Sequence, residues 1–500
     1  MLKNYSGNKI ANLEALDPDN NSFHLEILTH LQGNILQGYE CNYTVYIFVK
    51  FPETEAGVEQ TKAWLRNFAQ HQLTSAKQQW ERSHQQPNHL TEDSLYTNLF
   101  LSGQGYIHLF LKEEEMRWGT NQFWESLFEK GLKQLFFLDD PRPETWEPRF
   151  RDRIDAVISL GHNEPARLEE GARTIINEIN KFATVLNLDV GYHKKSPKGE
   201  VIEHFGFRDG ISQPLFFQEE LDMVGATDRW DPRAPLGLVL VEEEDLCGNG
   251  QYGFGSYAVY RKLEQNVPGF KAAVREFAGK LELVGQEGEE KAAALLVGRY
   301  KDGTPLMPIR PEDAGTDPNN FNYNNDIEGL ICPFQAHMRK TNPRGDLVAR
   351  RESAEGQRLR RIARRGLSYW ETPALQQPQP DEDFGQLLQR KMAVLTEKEI
   401  VNQHPIEPSN ETDKVGLLFL CFQHSIFNQF LHIHATWSDN DEFARPGAGI
   451  DPIISQKQAA GQWWRKENGQ RVRHSFSHFV TMTGGEFLFA PSLPFLQNLK

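Results

Sequence analysis

Glu203-His204-Phe205-Gly206-Phe207-Arg208-Asp209-Gly210-Ile211-Ser212-Gln213-Pro214 sets one carboxylate, Asp209, between two turn-forming glycines and among aromatic side chains. An Asp before Gly commonly caps a turn or a helix. The alternative is a carboxyl group held at an apolar wall, where desolvation and neighbouring groups tune it for proton transfer. Residue types alone favour the capping role. A second stretch, well downstream, changes the balance.

That stretch begins at Cys332-Pro333-Phe334-Gln335-Ala336-His337 and runs into a field of cations. Between Arg339 and Arg365 there are ten (Arg339, Lys340, Arg344, Arg350, Arg351, Arg358, Arg360, Arg361, Arg364, Arg365) against three carboxylates (Asp346, Glu352, Glu355). The whole chain carries −15, so this run opposes its background. Most arginine runs are solvated helix faces, and most single histidines ligate nothing. A metal-ligating imidazole beside guanidinium groups nevertheless suits a cofactor that has both a metal and carboxylates, and haem fits that description.

With 500 residues the chain is long for one core, and roughly 150 residues per domain predicts two to four units. Its acidity, with a pI near 5.6, argues against a nucleic acid or anionic membrane partner, because no global basic field exists. Four cysteines (Cys41, Cys247, Cys332, Cys421) form no C-x-x-C pair, so reduced thiols in a cytoplasmic protein are expected. Residues 1–22 form a polar leader, rich in Asn and Asp and without an apolar run, so export is not expected. The longest apolar run, Val415 to Phe422, is far short of the ~20 residues a membrane helix needs.

Around these stretches the pattern alternates between periods. Tyr43 to Phe51 is β-branched and aromatic and predicts a strand, and Val58, Trp64, Leu65 and Phe68 predict a helix over Gly57 to Gln72. Strands are predicted at Leu95–Leu101 and Tyr106–Leu111, and a helix at Ala172–Leu186. Charged residues, Gly225, Pro232 and Pro235 mark a boundary between Gln218 and Gly237. Beyond it, a strand at Gly255–Arg261 and a helix at Phe270–Leu283 repeat the opening of the first half. Gly303–Asn325 is a loop, Asp383–Ile400 a helix, and Leu417–Phe422 a buried strand. Phe479–Ala490, interrupted at Gly484-Gly485, is a late strand pair. Strands and helices without a regular β-α-β-α beat imply an α+β class with a mainly antiparallel sheet. Gly248-Asn249-Gly250-Gln251-Tyr252-Gly253 matches G-x-G-x-x-G, but no strand precedes it and no helix follows, so it reads as a glycine-rich turn.

Taken together, the stretches resemble the dye-decolorizing peroxidase family of haem enzymes. Gly206-Phe207-Arg208-Asp209-Gly210 matches its G-x-x-D-G signature, with Ile-Ser-Gln-Pro continuing in the family style. Ala336 to Arg344 is similar to its haem-ligating segment, and Arg364-Arg365-Gly366-Leu367-Ser368-Tyr369 to the segment with its distal arginine. Gln32-Gly33-Asn34-Ile35-Leu36 and Gly484-Gly485-Glu486-Phe487 add matches near both ends, and the missing export signal resembles the larger, cytoplasmic-type branch.

The resemblance implies two ferredoxin-like domains with antiparallel sheets and peripheral helices, in the dimeric α+β barrel superfamily: 23–217, carrying G-x-x-D-G, and 237–500, binding haem. It implies one haem b per chain, ligated by His337 with the opposite position left open for peroxide. Asp209 would move a proton between the peroxide oxygens, and Arg364 would stabilise the departing oxygen and contact a propionate. Arg344 matches a propionate-binding position, and Leu417 and Phe419 match the distal wall. The implied activity is reduction of hydrogen peroxide through a ferryl intermediate, with oxidation of dyes and phenolic compounds. The alternatives are a haem-binding or haem-handling protein with little turnover, and a cofactor-free binding protein. Oligomeric state stays open.

Arg350, Arg351, Arg358 and Arg361 are expected at the surface or in ion pairs, and Arg365 is expected to point away from Arg364. A ligating histidine needs an acceptor on its other nitrogen. None is assignable, and Asn428 stands where an acid is looked for. His432-Ile433-His434 lacks a third metal ligand. Dyes too large for a peroxide pocket would need a Tyr or Trp relay; Tyr369 and Trp370 are candidates by proximity in sequence, although aromatics are more often core residues.

Overall fold

The computed structural model describes residues 7–84, 95–110, 127–135, 138–224, 227–243, 253–309, 318–346, 352–376, 378–397, 412–457, 461–476 and 478–500. Cys247, residues 248–252 of the glycine turn, Leu111, Arg350, Arg351 and residues 398–400 lie outside them.

The first half contributes four strands, β1 (Tyr43–Lys50), β2 (Tyr96–Ser102), β3 (Ala156–His162) and β4 (Thr184–Tyr192). The helix Glu55–His71 lies between β1 and β2, and the helix Pro165–Ile179 between β3 and β4. The second half supplies β5 (Val241–Glu243), β6 (Gly253–Gln265), β7 (Ala363–Arg364), β8 (Leu367–Glu371), β9 (Lys414–Gln423), the hairpin β10 (Gln462–Arg465) and β11 (Arg471–His474), and β12 (Val480–Ala490). The sheet order is β5-β6-β12-β2-β3-β1-β4-β8-β9-β7, and β6 also pairs with β9. That extra pairing closes the ring β6-β12-β2-β3-β1-β4-β8-β9 into a barrel, which leaves none of these strands with a free edge.

Within the ring, β2-β3-β1-β4 and β12-β6-β9-β8 repeat one strand order, that of two antiparallel ferredoxin-like sheets joined edge to edge. The seams are short: Leu488↔Ser102 and Phe489↔Leu101 at one, Tyr192↔Ser368 at the other. Side chains reinforce them across the interior. Lys262 Nζ of β6 donates to Asp189 of β4 (3.1 Å), Glu147 (3.1 Å) and Glu371 of β8 (3.0 Å), and Tyr260 Oη donates to Asp189 (2.7 Å). Three carboxylates, two of them buried, outweigh the desolvation of one ammonium, and the Lys262 pKa rises despite burial. Because side chains alternate along a strand, Arg261, Leu263 and Gln265 of β6 project outward, as do Leu417 and Phe419 of β9.

Three elements differ from the sequence reading. Of Tyr106–Leu111, expected as a strand, the described residues Tyr106 to Phe110 lie in a helix, Gly103–Phe110. Ser102 Oγ accepts from Gly105 N (2.9 Å), and a Cβ on Gly105 would stand 2.0 Å from Asp155 O, so glycine permits a close approach that apolar content does not reveal. The helix expected at Ala172–Leu186 begins at Pro165 and stops at Ile179, and Thr184 to Leu186 open β4. Phe479–Ala490 is not a strand pair. β12 runs through Gly484-Gly485 with a bulge between Met482 and Gly484, where Phe150 occupies the space a Cβ would take.

Candidate active site

A cavity of about 290 Å³ opens on the outer face of β6 and β9. Leu263, Leu417 and Phe419 form apolar wall, and Asp209, His337, Arg364, Arg261 and Glu203 line it as well. The structure thus brings five of the six residues singled out in the sequence to one cavity. Arg344 is the exception.

His337 starts the short helix His337–Thr341. Its Nδ1 lies 2.8 Å from Asp451 Oδ2. The Asp451 side chain is fully buried, and its Oδ1 accepts from Ile453 N (2.8 Å) and Ile454 N (3.2 Å). A carboxylate so anchored accepts only N–H, so in the neutral imidazole the proton sits on Nδ1 and Nε2 keeps the lone pair. Asp451 is therefore the acceptor that sequence reasoning could not assign. Asn428 instead takes Arg360 Nη1 on its carbonyl (2.9 Å). Gly449-Ile450-Asp451-Pro452 is an ordinary turn composition, and nothing in it points to a histidine 114 residues away.

Behind His337, Lys340 is fully buried and donates to Asn440 O (2.7 Å) and to Phe443 O. Burial pushes its pKa down to about 7, only partly countered by Asp451, Asp441 and Asp439. Arg339 is also buried, paired with Asp326 (2.8 Å) and Asp346 (2.7 Å).

Asp209 sits on the loop from Glu203 to Pro214. Gly206 (φ +94°) and Gly210 (φ +78°) supply turns that favour glycine, and Asp209 Oδ1 accepts from Gly210 N (2.7 Å). Glu203 braces the loop by accepting from Phe205 N (2.8 Å) and Phe207 N (2.9 Å) and from Gln265 Nε2 (2.5 Å). Burial raises the Glu203 pKa. Asp209 Oδ2 faces Gly366, where a Cβ would stand 3.7 Å from it. Asp209 thus takes part in its local turn and also borders the cavity; it caps no helix.

Arg364 projects from β7 into the cavity and donates from Nη2 to Ile211 O (2.7 Å). Arg365 points the other way, to Asn34 O (2.7 Å) and Ile35 O (2.9 Å), tying β7 to Gln32-Gly33-Asn34-Ile35-Leu36. Arg344 is 1 % exposed and lies behind the lining. It donates to Asn319 O (2.6 Å), Phe321 O (3.2 Å) and Ser212 Oγ (2.5 Å), and burial lowers its pKa to about 9. Arg358 makes the expected ion pairs, with Glu355 at 2.9 Å, but Arg361 does not. It is buried at the cavity edge, and its bonds go to the carbonyls of Arg358, Asp231, Pro232 and Arg233.

His432 and His434 lie on the π-helix Phe427–Ser438. His434 Nε2 is 3.0 Å from Arg261 Nη1 and burial lowers its pKa to about 4, so it serves as an acceptor. His432 faces Glu352 at 3.5 Å. Among the described residues no group of three or more His, Cys, Asp or Glu could hold a metal ion. Tyr369 and Trp370 are both buried, so neither meets a bulky donor at the surface.

No protein-family model matches the chain. Curated proteins do. It is 33% identical over 497 residues to the multifunctional dye peroxidase DyP2 of Amycolatopsis sp., covering 95% of this chain and 96% of that one. It is 27% identical over 507 residues to the dye-decolorizing peroxidase msp1 of Mycetinis scorodonius, covering 94% and 87%. Among solved structures, the DyP-type peroxidase of Anabaena sp. superposes with a TM-score of 0.83 at 32% identity, over 99% of this chain and 100% of that one. With matches running the length of both partners, and with the same signatures gathered here around one cavity, the chain belongs to the dye-decolorizing peroxidase family.

Proposed function

We propose that the chain is a haem peroxidase that reduces hydrogen peroxide and oxidises dyes and phenolic compounds. The observation that carries the reading is the His337 Nε2 lone pair, aimed by the buried Asp451 carboxylate, in the same cavity as an acid and a guanidinium. Haem fits these residues. His337 offers the neutral imidazole its iron takes, Leu263, Leu417 and Phe419 offer apolar surface for a flat macrocycle, and Arg364 offers a cation for a carboxylate. Asp451 acts as the carboxylate of a ligand–histidine pair, fixing the ring and raising its basicity. Arg344, one layer behind, would act through Ser212, whose hydroxyl it holds at the cavity wall.

Bound haem supplies the electrons for peroxide reduction, and the protein supplies proton handling and charge. Asp209 Oδ2 would accept a proton from one peroxide oxygen and return it to the other, which departs as water. The Arg364 guanidinium, held by Ile211 O, presents fixed positive charge where negative charge develops. Leu417 and Phe419 limit the space and exclude water. Dyes as donors rest on the similarity to the dye peroxidases, and phenolic compounds are proposed beside them.

We divide the chain into units at 23–217 and 237–500, since β1–β4 precede that boundary and β5–β12 follow it. Free, buried Cys41, Cys332 and Cys421 support a reducing cytoplasm. Among the described residues no helix is long and apolar enough to cross a membrane. The test is stopped-flow absorbance of the haem-loaded protein with stoichiometric peroxide. Rapid, Asp209- and Arg364-dependent spectral change supports peroxidase chemistry; haem binding without that change favours a haem-handling protein.

A further inference from the structure

We infer that Gln213 is the positioning residue that holds Arg364, and with it the spacing between Arg364 and Asp209. The inference deepens the peroxidase reading and rests on it.

β7 is two residues long and has β9 on one side. In an antiparallel ladder, alternate residues turn their N–H and C=O toward the partner. Arg365 N donates to Leu420 O (2.7 Å), so Arg364, which pairs with Cys421, turns both backbone groups away from β9. The Gln213 side chain meets both. Its Oε1 accepts from Arg364 N (3.1 Å) and its Nε2 donates to Arg364 O (3.2 Å). One primary amide thus stands in for the missing neighbouring strand, in the donor–acceptor order that a strand would present.

A third bond ties the same two segments, Arg364 Nη2 to Ile211 O (2.7 Å). The segment doing the holding is the continuation of the loop that carries Asp209, four residues before Gln213. Asp209 comes from the first half of the chain and Arg364 from the second, and a Cβ on Gly366 would stand 3.7 Å from Asp209 Oδ2. The clamp therefore spans the join between the halves. Among the described residues, its loss removes the one partner of Arg364 N–H and leaves Arg364 O to Arg365 Nη1 alone (2.8 Å), which loosens the two-residue edge and lets the guanidinium shift relative to the carboxylate. His337 and Asp451 lie on other elements and are not part of it.

The experiment uses the full-length, haem-loaded protein with Gln213→Met, which keeps length and removes both bonds, and Gln213→Glu. For Gln213→Met the rate constant with peroxide falls roughly 10- to 100-fold and cyanide binding weakens in parallel, while the loaded protein keeps a Soret band, because His337 and Asp451 are untouched. In Gln213→Glu, the ionised carboxylate still accepts from Arg364 N–H, but its second oxygen faces Arg364 C=O with no proton to give, leaving that carbonyl the bond from Arg365 Nη1 (2.8 Å). Protonation restores the donor. The ratio of its rate to that of wild type therefore rises as pH falls through the titration of the new carboxyl group, with Asp209 and Arg365 common to both proteins. A merely structural role predicts no such ratio. Peroxide and cyanide reactions of Gln213→Met within about twofold of wild type, or a pH-independent ratio for Gln213→Glu, overturn the inference. A wild-type protein that binds haem but ignores peroxide defeats the peroxidase reading instead, and the cyanide comparison then still decides the role of Gln213.

Discussion

Replacing Asp451 by Asn tests the half of the site that sequence did not reveal. The side chain accepts three hydrogen bonds, from His337 Nδ1 at 2.8 Å and from Ile453 N and Ile454 N at 2.8 and 3.2 Å. An amide is isosteric but has only one accepting atom. If its oxygen turns to His337, its NH₂ faces two buried backbone donors, and leaving these unsatisfied costs ~1–3 kcal/mol each. If its oxygen keeps the backbone bonds, its NH₂ faces Nδ1, which must then carry the lone pair, and the proton moves to Nε2 on the cavity side. The second arrangement loses one charge-assisted bond, ~1.5–3 kcal/mol, against two orphaned donors in the first, and is the one expected. A protonated Nε2 cannot bind a metal, so haem affinity should fall ~10- to 100-fold. Haem titration followed at the Soret band measures the affinity, and denaturant unfolding of the apoprotein measures the accompanying loss of stability. Unchanged affinity with an unchanged spectrum would refute the assignment of Asp451 as the group that orients His337.

Three further outcomes follow from the same geometry. His337→Ala should abolish haem-dependent absorbance while leaving the apoprotein folded, since the side chain is 28% exposed and faces a cavity; absorbance and circular dichroism check both. Asp209→Asn should slow the reaction with peroxide by ~10²–10⁴ and Arg364→Leu by ~10²–10³, read by stopped flow, and both variants reacting at wild-type rates would count against the distal roles. Lys340 holds two carbonyls, with no carboxylate within 4.0 Å among the described residues, and titrates near 7 instead of 10.5. Between those values the unfolded chain carries a proton that the folded chain lacks, so the stability of wild type relative to Lys340→Met should rise with pH from about 7 to about 10.5. The rise is up to ~4–5 kcal/mol, and urea unfolding across that range measures it.

Local pattern made much of the fold legible. The β-branched and aromatic run at Tyr43, the helical spacing of Val58, Leu65 and Phe68, and the apolar run at Leu417 all became the elements they imply, because each depends on residues within a turn or two. The failures were also local in cause. Gly103 and Gly105 allow a helix to approach a neighbouring backbone where apolar content suggested a strand, and a bulge carries β12 through a glycine pair that looked like a break. For the site, the turn glycines and the acid of Gly206 to Gly210, the histidine after Ala336 and the paired arginines were readable because each motif is contiguous.

The sequence alone was enough to assign an α+β chain, since periodicity is written in neighbouring residues, and its short motifs carried the family resemblance that implied ferredoxin-like units and put forward His337, Asp209 and Arg364 as site residues. Only the tertiary structure decided that β6 meets β9 to close a barrel, that Arg364 and not Arg365 enters the cavity, that Arg344 stands behind it, and that Asp451 holds the imidazole. The physical reason is range. A hydrogen bond of 2.8 Å between residues 114 positions apart depends on how every intervening element packs, and no feature of Gly449 to Pro452 taken by itself encodes it.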